Sequence, residues 1–244
     1  MRNEFLNNPH PRPLSQRERG DHPRRRMVGE GIIITLLFAY SLSLITGCAR
    51  TVTQIVTSGA EMVVEATMLG TVETTANRYF MVLSDSAGYK VQLPLPQPAG
   101  GRDELLEPGT TPMYGSREAY YINYYSTWSG YIITDPAGYF LVKGPFIFGA
   151  STTREALSTT AASGNKLLFT FRLDQIFGAT IPDTVYFDLI TVPWPDGAEK
   201  IPADHLQMSN YVSKVAGTEL TIVDDSDSSA APSLDISKVV IRIQ

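Results

Sequence analysis

The segment "KLLFTFRLDQIFGATIPDTVYFDLITV", residues 166–192, decides the fold class. It contains two runs rich in aliphatic, β-branched and aromatic residues, Lys166–Leu173 and Thr184–Val192, separated by a stretch with Gly and Pro. Runs of this length and composition, bounded by turn residues, predict β-strands. No long helical pattern lies between them, so this part of the chain favours an all-β fold.

Elsewhere in the chain, the same kind of run recurs eight more times. Ten short runs without long helices predict one antiparallel β-sandwich, of the jelly-roll or immunoglobulin-like kind. The turn segments "SDSAG" and "DPAG" have Asp or Ser early and Gly late, as hairpin loops require. The eight further predicted strands are Glu61–Glu73, Arg78–Ser84, Tyr89–Leu95, Ala119–Ser126, Gly130–Asp135, Gly138–Gly144, Thr218–Asp224 and Ser237–Gln244.

Three other segments have patterns that are not those of strands. Ser151 or Thr152 followed by Glu155 has the spacing of a capping box and predicts a short helix. The segment Pro202–Val215 is compatible with one or two helical turns. The segment Pro94–Pro112 is rich in Pro and Gly and predicts a long loop within one domain, because neither side alone has enough strands for a closed core.

The N-terminal region has the features of a secretory signal. An uncharged run from Gly31 to Ile45 follows three consecutive arginines, and it is slightly short of the ~20 apolar residues that span a bilayer. We therefore expect residues 1–47 to be a leader that is removed, of which residues 1–26 are an extension ahead of a start at Met27. An uncleaved anchor helix is the alternative.

The end of this run adds a specific motif. Ile45-Thr46-Gly47-Cys48 resembles the lipobox of bacterial lipoproteins, in which the cysteine is acylated and becomes the new N-terminus. The resemblance implies lipidation of Cys48, attachment to the cell envelope, and, with Ala49 following, the outer membrane where the host has two membranes. Residues 48–60 are then a tether, and residues 61–244 form the sandwich domain.

Charge and cysteine content exclude several classes of function. Residues 48–244 carry 13 Lys and Arg against 21 Asp and Glu, a net charge of −8. Without a basic cluster, this body is not expected to bind nucleic acid. The single cysteine allows neither an internal disulfide nor a cysteine-based zinc site.

A second resemblance concerns residues 166–192. Leu173, Asp174, Ile176 and Gly178 fit the corner, and Phe187, Ile190 and Thr191 fit the following strand, of DOMON-like β-sandwiches. That group includes the family-nine carbohydrate-binding modules. The resemblance implies a sandwich that binds carbohydrate among aromatic residues, and it assigns no individual site residue.

The densest aromatic region runs from Ala119 to Phe140. If Ala119–Ser126 is a strand, tyrosines lie on both of its faces, so one face is free to bind a ligand. Exposed rings stack on the C–H faces of sugars; the alternative is that these rings fill the core. The candidate ligand-binding residues are Tyr120, Tyr124, Tyr125, Trp128 and Tyr131.

Trp194 is a sixth candidate ligand-binding residue. It lies in "VPWPDGAEK", where two prolines stiffen the loop that presents its indole. It is either a ligand platform or a plug over one end of the sandwich.

Acidic residues suggest a metal site. Asp224, Asp225 and Asp227 offer oxygen ligands at a spacing that suits calcium, although the segment is not an EF-hand loop, and a solvated turn is the alternative. No other cofactor is indicated.

Catalysis has little support in the sequence. His205 is the only histidine after Cys48, and there is no Gly-x-Ser-x-Gly, HExxH or phosphate-binding Gly-rich motif. We expect His205 to be a surface or helix-capping residue. The sequence therefore predicts an extracytoplasmic lipoprotein with a non-catalytic binding module, with glycan as the leading ligand; a structural or assembly protein of the envelope is the alternative, and an enzyme is third.

Overall fold

The computed structural model describes residues 59–98, 101–157, 162–206, 209–227 and 229–244, which belong to one compact unit, Ile55–Gln244. Cys48, the leader 1–47 and most of the tether 48–60 lie outside the described residues. None of the helices in the described ranges is long and apolar enough to cross a membrane.

The described chain is an all-β sandwich of two antiparallel sheets, which confirms the predicted fold class. The small sheet has the order β10-β11-β1-β6, and the large sheet has the order β5-β4-β3-β2-β7-β8, with β9 also paired to β7. The strands are β1 Glu61–Met68, β2 Asn77–Ser84, β3 Gly130–Asp135, β4 Gly138–Lys143, β5 Arg154–Ala156, β6 Lys166–Arg172, β7 Thr184–Pro193, β8 Asp204–His205, β9 Asn210–Ser213, β10 Glu219–Val223 and β11 Ile236–Ile243.

The core of the sandwich comes from the period-two pattern of the strands. In β1 the side chains of Met62, Val64, Ala66 and Met68 are buried, and the residues between them are turned toward solvent. They meet the inward residues of the large sheet, including Met81, Phe187 and Leu189. A one-residue slip of β1 would expose this whole set, so the pairing register is strongly specified.

The large sheet is buried on both faces, which the sequence did not predict. Its second face carries Phe80, Val82, Tyr131, Ile133, Ile190 and Val192, and the segment 89–128 together with Phe146 covers it. We call this second cluster the outer core. The covering segment contains helix α1, Arg117–Asn123, and a 3₁₀ turn, Tyr125–Thr127.

Several local predictions were wrong. The predicted strand Ala119–Ser126 is α1 and the 3₁₀ turn, because Ser116 caps the helix by accepting a hydrogen bond from Ala119 N at 3.1 Å. Tyrosines four residues apart then share a helix face, and this packing outweighs their preference for strands. Tyr120 and Tyr124 lie 5.7 Å apart between ring centroids, and Tyr121 and Tyr125 lie 5.1 Å apart.

The other errors concern the remaining short segments. The predicted helix near Ser151 and Thr152 is instead the edge strand β5, which pairs with β4 and is held through Arg154. The segment Pro202–Val215 contains β8 and β9, both paired to β7, in place of helical turns. The predicted strand Tyr89–Leu95 is irregular backbone that covers the outer core. The described part of Pro94–Pro112 is a loop, as predicted.

Candidate functional site

A large cleft lies at one end of the large sheet. There β2 ends at Ser84, β3 begins at Gly130, β4 ends at Lys143 and β7 begins at Thr184. Antiparallel pairing brings these four strand ends to the same edge. The short helix α2, Leu173–Phe177, packs against β3 and β4 beside them and closes one side.

The cleft between these segments has a volume of about 490 Å³, within the range of small-molecule binding sites. Its wall combines hydroxyl groups, two opposite charges and apolar surface. The residues that line it are Asp85, Ser126, Thr127, Trp128, Ser129, Lys143, Gly144, Pro145, Ile176, Phe177, Thr180 and Pro182. We call it the end cleft.

Two glycines allow the walls to approach closely. A Cβ atom at Gly130 would lie 2.6 Å from Ile176 Cδ1 and 2.9 Å from Val142 O. A Cβ atom at Gly144 would lie 2.9 Å from Ser129 O. All three distances are too short for a side chain, so glycine at these two positions lets α2 and the backbone at Ser129 pack directly against the strand ends.

Hydrogen bonds fix the hydroxyl-bearing wall. Thr127 Oγ1 donates to Tyr124 O at 2.6 Å and accepts from Lys90 N at 3.0 Å. Ser129 Oγ accepts from Asp85 N at 3.2 Å. These bonds connect the start of β3 to the segment that follows β2, so the wall is a defined surface.

The candidate aromatic residues occupy different places. Trp128 lines the end cleft, but it is only 4% exposed, and its Nε1 donates to Lys90 O at 2.7 Å. Tyr120, Tyr125 and Tyr131 are buried in the outer core, which agrees with their interpretation as core residues. They do not form the open strand face on which the carbohydrate hypothesis was based.

The hydroxyl groups of these tyrosines are satisfied inside the protein. Tyr125 donates to Leu106 O at 2.9 Å, and Tyr131 donates to Glu107 Oε2 at 2.9 Å. Burial raises the pKa of both residues, and it raises the pKa of Tyr120 to about 12. All three are therefore neutral at physiological pH and serve as hydrogen-bonded core residues.

The last two aromatic candidates are half-buried. Tyr124 lines a smaller cavity of about 200 Å³ and donates a hydrogen bond to Asp103. Trp194 packs on Phe80 with ring centroids 6.1 Å apart, and the cationic groups of Arg78 and Lys200 lie 5.4 and 5.5 Å from its ring centroid. With its faces occupied in this way, Trp194 resembles a plug more than a platform.

A second, acidic pocket of about 370 Å³ surrounds His205. It brings together the three residues predicted as calcium ligands, and the same pocket includes Asp204 and a wall of Leu93, Pro94 and Pro96. Among the described residues, no group of three or more His, Cys, Asp or Glu side chains is arranged to hold a metal ion. The residues Asp224, Asp225 and Asp227 thus share a pocket without forming a set of metal ligands.

His205 is neither a free surface residue nor a helix cap. It lies in β8, and its Nδ1 is 3.1 Å from Oδ2 of Asp188, a fully buried carboxyl on β7. Burial raises the pKa of Asp188 to about 7, although the hydrogen bond from His205 opposes this shift. Burial lowers the pKa of His205, but the hydrogen bond and charge of Asp188 outweigh that effect and raise it.

Asp204 stabilises the same region. Its Oδ1 accepts from His205 N and its Oδ2 accepts from Ile236 N, each at 2.7 Å. Burial raises the pKa of Asp204 to about 6. This carboxyl therefore joins β8 to β11, at the place where the two sheets approach each other.

Sequence reasoning missed Asp85, Lys143 and Thr180, which line the end cleft. Asp85 and Lys143 lie at or just beyond strand ends, Thr180 lies in the loop between α2 and β7, and only the sheet order brings them together. No protein-family model, curated protein or solved structure matches the chain.

Proposed function

We propose that this chain is a lipid-anchored extracytoplasmic binding module and that its ligand is a polyhydroxylated molecule, a glycan, bound in the end cleft. The observation that carries the proposal is the composition of that cleft. It is open, it has a volume of about 490 Å³, and both polar groups and apolar surface line its wall.

These groups match the chemistry of a sugar. Asp85 accepts hydrogen bonds from hydroxyl groups, Lys143 donates to them, and the hydroxyl of Thr180 does either. Phe177 offers apolar surface to the C–H groups of a sugar ring. A few placed polar groups on a partly apolar wall are typical of small-molecule sites.

The anchoring part of the proposal comes from the sequence. The uncharged run up to Ile45, the following Thr46-Gly47 and the single Cys48 are the features that a lipoprotein signal requires. One acyl chain binds a membrane only marginally, so stable attachment requires two or three chains on Cys48. The binding module would then act at the envelope surface.

A binding role is also favoured over catalysis by the surroundings of His205. The histidine has an orienting carboxylate, as a general base does, but Asp204 and Asp224 line the same pocket. Negative groups there would repel the oxyanion that forms in acyl transfer. This charge arrangement supports a protein without hydrolytic function.

Binding to a panel of immobilised oligosaccharides tests the proposal. The full chain, purified in detergent, is compared with Thr180→Trp, which fills the end cleft from an exposed position, and with Thr221→Trp on the outer face of β10 as a matched control. We expect Thr180→Trp to weaken binding at least tenfold and Thr221→Trp to leave it unchanged. No retention of the wild-type protein by any oligosaccharide would refute the proposal.

A further inference from the structure

We infer that the ligand of the end cleft carries an anionic group, specifically the carboxylate of an acidic sugar, and that Lys143 is the residue that binds it. This inference rests on the proposed function and names the class of ligand. The end cleft contains an available cation at one side and an available hydrogen-bond acceptor at the other.

The position of Lys143 is fixed by the strand that carries it. It is the last residue of β4 and shares a face with Tyr139 and Leu141, whose side chains anchor that face in the core. Immediately after it, Gly144 N donates to Ser129 O at 2.9 Å. The side chain of Lys143 therefore lines the end cleft from a backbone that β4 holds before it and the hydrogen bond of Gly144 holds after it.

Gly178 lies next to this ammonium group. It follows α2 with φ 73° and ψ −152°, a conformation that is essentially restricted to glycine. A Cβ atom at Gly178 would lie 3.4 Å from Lys143 Nζ. The end of α2 at Gly178 therefore lies beside the ammonium group of Lys143.

Half of the twelve Lys and Arg side chains in the described residues have a carboxylate partner. These six, Arg102, Arg154, Lys166, Arg172, Lys214 and Arg242, form ion pairs. Neither Lys143 nor Asp85 forms an ion pair with any described residue, although both line the end cleft. A ligand carboxylate would give Lys143 the partner that the protein does not supply.

Lys143 and Asp85 are far enough apart to act on different parts of one ligand. The pairing register places Leu83, Gly130 and Lys143 in one row across three adjacent strands. Two strand spacings separate the outer members of this row by roughly 10 Å, and Asp85 lies two residues beyond Leu83. At a separation of about one Debye length, salt weakens the repulsion between Asp85 and a carboxylate at Lys143, while the oxygens of Asp85 remain free to accept sugar hydroxyls.

The experiment compares an oligomer of galacturonic acid with the matching neutral oligomer of galactose. Full-length protein in detergent is titrated with each by calorimetry at 0.05 and 0.5 M NaCl, together with Lys143→Gln, Lys143→Arg and, as a control, Lys238→Gln on the exposed face of β11. We expect the wild type to prefer the acidic oligomer at least tenfold, with the preference reduced at high salt. Lys143→Gln should remove the preference, while Lys143→Arg and Lys238→Gln retain it.

The possible results separate the two proposals. Equal binding of both oligomers, unchanged in Lys143→Gln, overturns the role of Lys143 but leaves a glycan-binding cleft. If Lys238→Gln abolishes the preference for the acidic oligomer as strongly as Lys143→Gln does, the preference comes from general charge attraction. That result also overturns the inference. Absence of binding to these and to all other oligosaccharides overturns both proposals together.

Discussion

His205 Nδ1 lies 3.1 Å from Oδ2 of Asp188, and this pair joins the short edge strand β8 to its neighbour β7. Asp188 is fully buried, and no described residue bonds its other oxygen. Because one oxygen of this buried carboxyl has no hydrogen bond, little compensates for the hydration that its charged form loses. The stability of the folded protein is therefore sensitive to proton binding at Asp188.

The pair should make the protein less stable as pH rises through neutrality. The pKa of Asp188 is raised to about 7 and that of His205 is also raised, so the folded state holds protons that the unfolded state has already released. The stabilisation from each group is complete below the pKa that the group has in the unfolded chain. It is lost between about pH 4 and about pH 7 for Asp188, and above about pH 6.5 for His205. The free energy of unfolding falls by at most about 1.4 kcal/mol per pH unit for each proton.

Urea unfolding at pH 6, 7 and 8 measures this slope. Asp188→Asn removes one titrating group and the charge that raises the pKa of His205, so we expect its free energy of unfolding to be nearly flat over this range. Asp183→Asn is the control, because Asp183 is highly exposed and pairs with Lys214 at the surface. Equal slopes in the wild type and Asp188→Asn would contradict the assignment.

The outer core should contribute several kcal/mol to stability. Trp128 contacts Tyr125, Tyr131 and Phe146 through its ring and is 4% exposed. Trp128→Ala should therefore reduce the free energy of unfolding by about 3–5 kcal/mol, as large-to-small changes in well-packed cores do. Ile122→Ala, at a position 67% exposed on the neighbouring helix, should change it by less than about 0.5 kcal/mol.

Denaturant midpoints of these two variants decide whether the covering segment is an integral layer. A Trp128→Ala midpoint equal to that of Ile122→Ala would mean that segment 89–128 does not pack as a core. The m-value should stay near that of the wild type, since the same surface is exposed on unfolding.

The strands of the sandwich were largely predictable, because their apolar content and turn residues are local features. β1, β2, β6, β7 and β11 lie within or close to the segments predicted for them. The tyrosine-rich segment was not predictable from composition, since the same residues suit a strand face or a helix face. Its helix was indicated only by Ser116, whose capping role depends on the residues that follow it.

The end cleft could not be derived from sequence spacing. Asp85 and Lys143 are brought to one cleft because β2, β3 and β4 are neighbours in the sheet, and strand order is a property of the whole fold. The partnership of Asp188 and His205 depends in the same way on β8 pairing with β7. Local patterns therefore predicted most of the strands, and the arrangement of the strands created both pockets.

The proposed anchoring through Cys48 predicts a defined biochemical phenotype. Cys48→Ala lacks the thiol that we propose accepts the diacylglyceryl group, so the precursor should remain unprocessed and unlipidated. Incorporation of labelled palmitate in cells, followed by gel mobility, measures both effects. A Ser58→Ala control, ten residues farther along, should be labelled and processed like the wild type. Equal labelling of Cys48→Ala would overturn the assignment.

Gly130 should be the position at which one methyl group most directly disturbs the end cleft. A Cβ atom there would lie 2.6 Å from Ile176 Cδ1 and 2.9 Å from Val142 O, so α2 must move away from β3 to accept it. Such overpacking typically costs about 1–3 kcal/mol.

Gly88→Ala is a matched control, because its Cβ would meet only Ser86 Oγ at 3.5 Å. We expect Gly130→Ala to lower the unfolding midpoint and to weaken glycan binding, and Gly88→Ala to do neither. If Gly130→Ala destabilises the protein but leaves binding intact, the packing of α2 against β3 is structural and does not shape the ligand site.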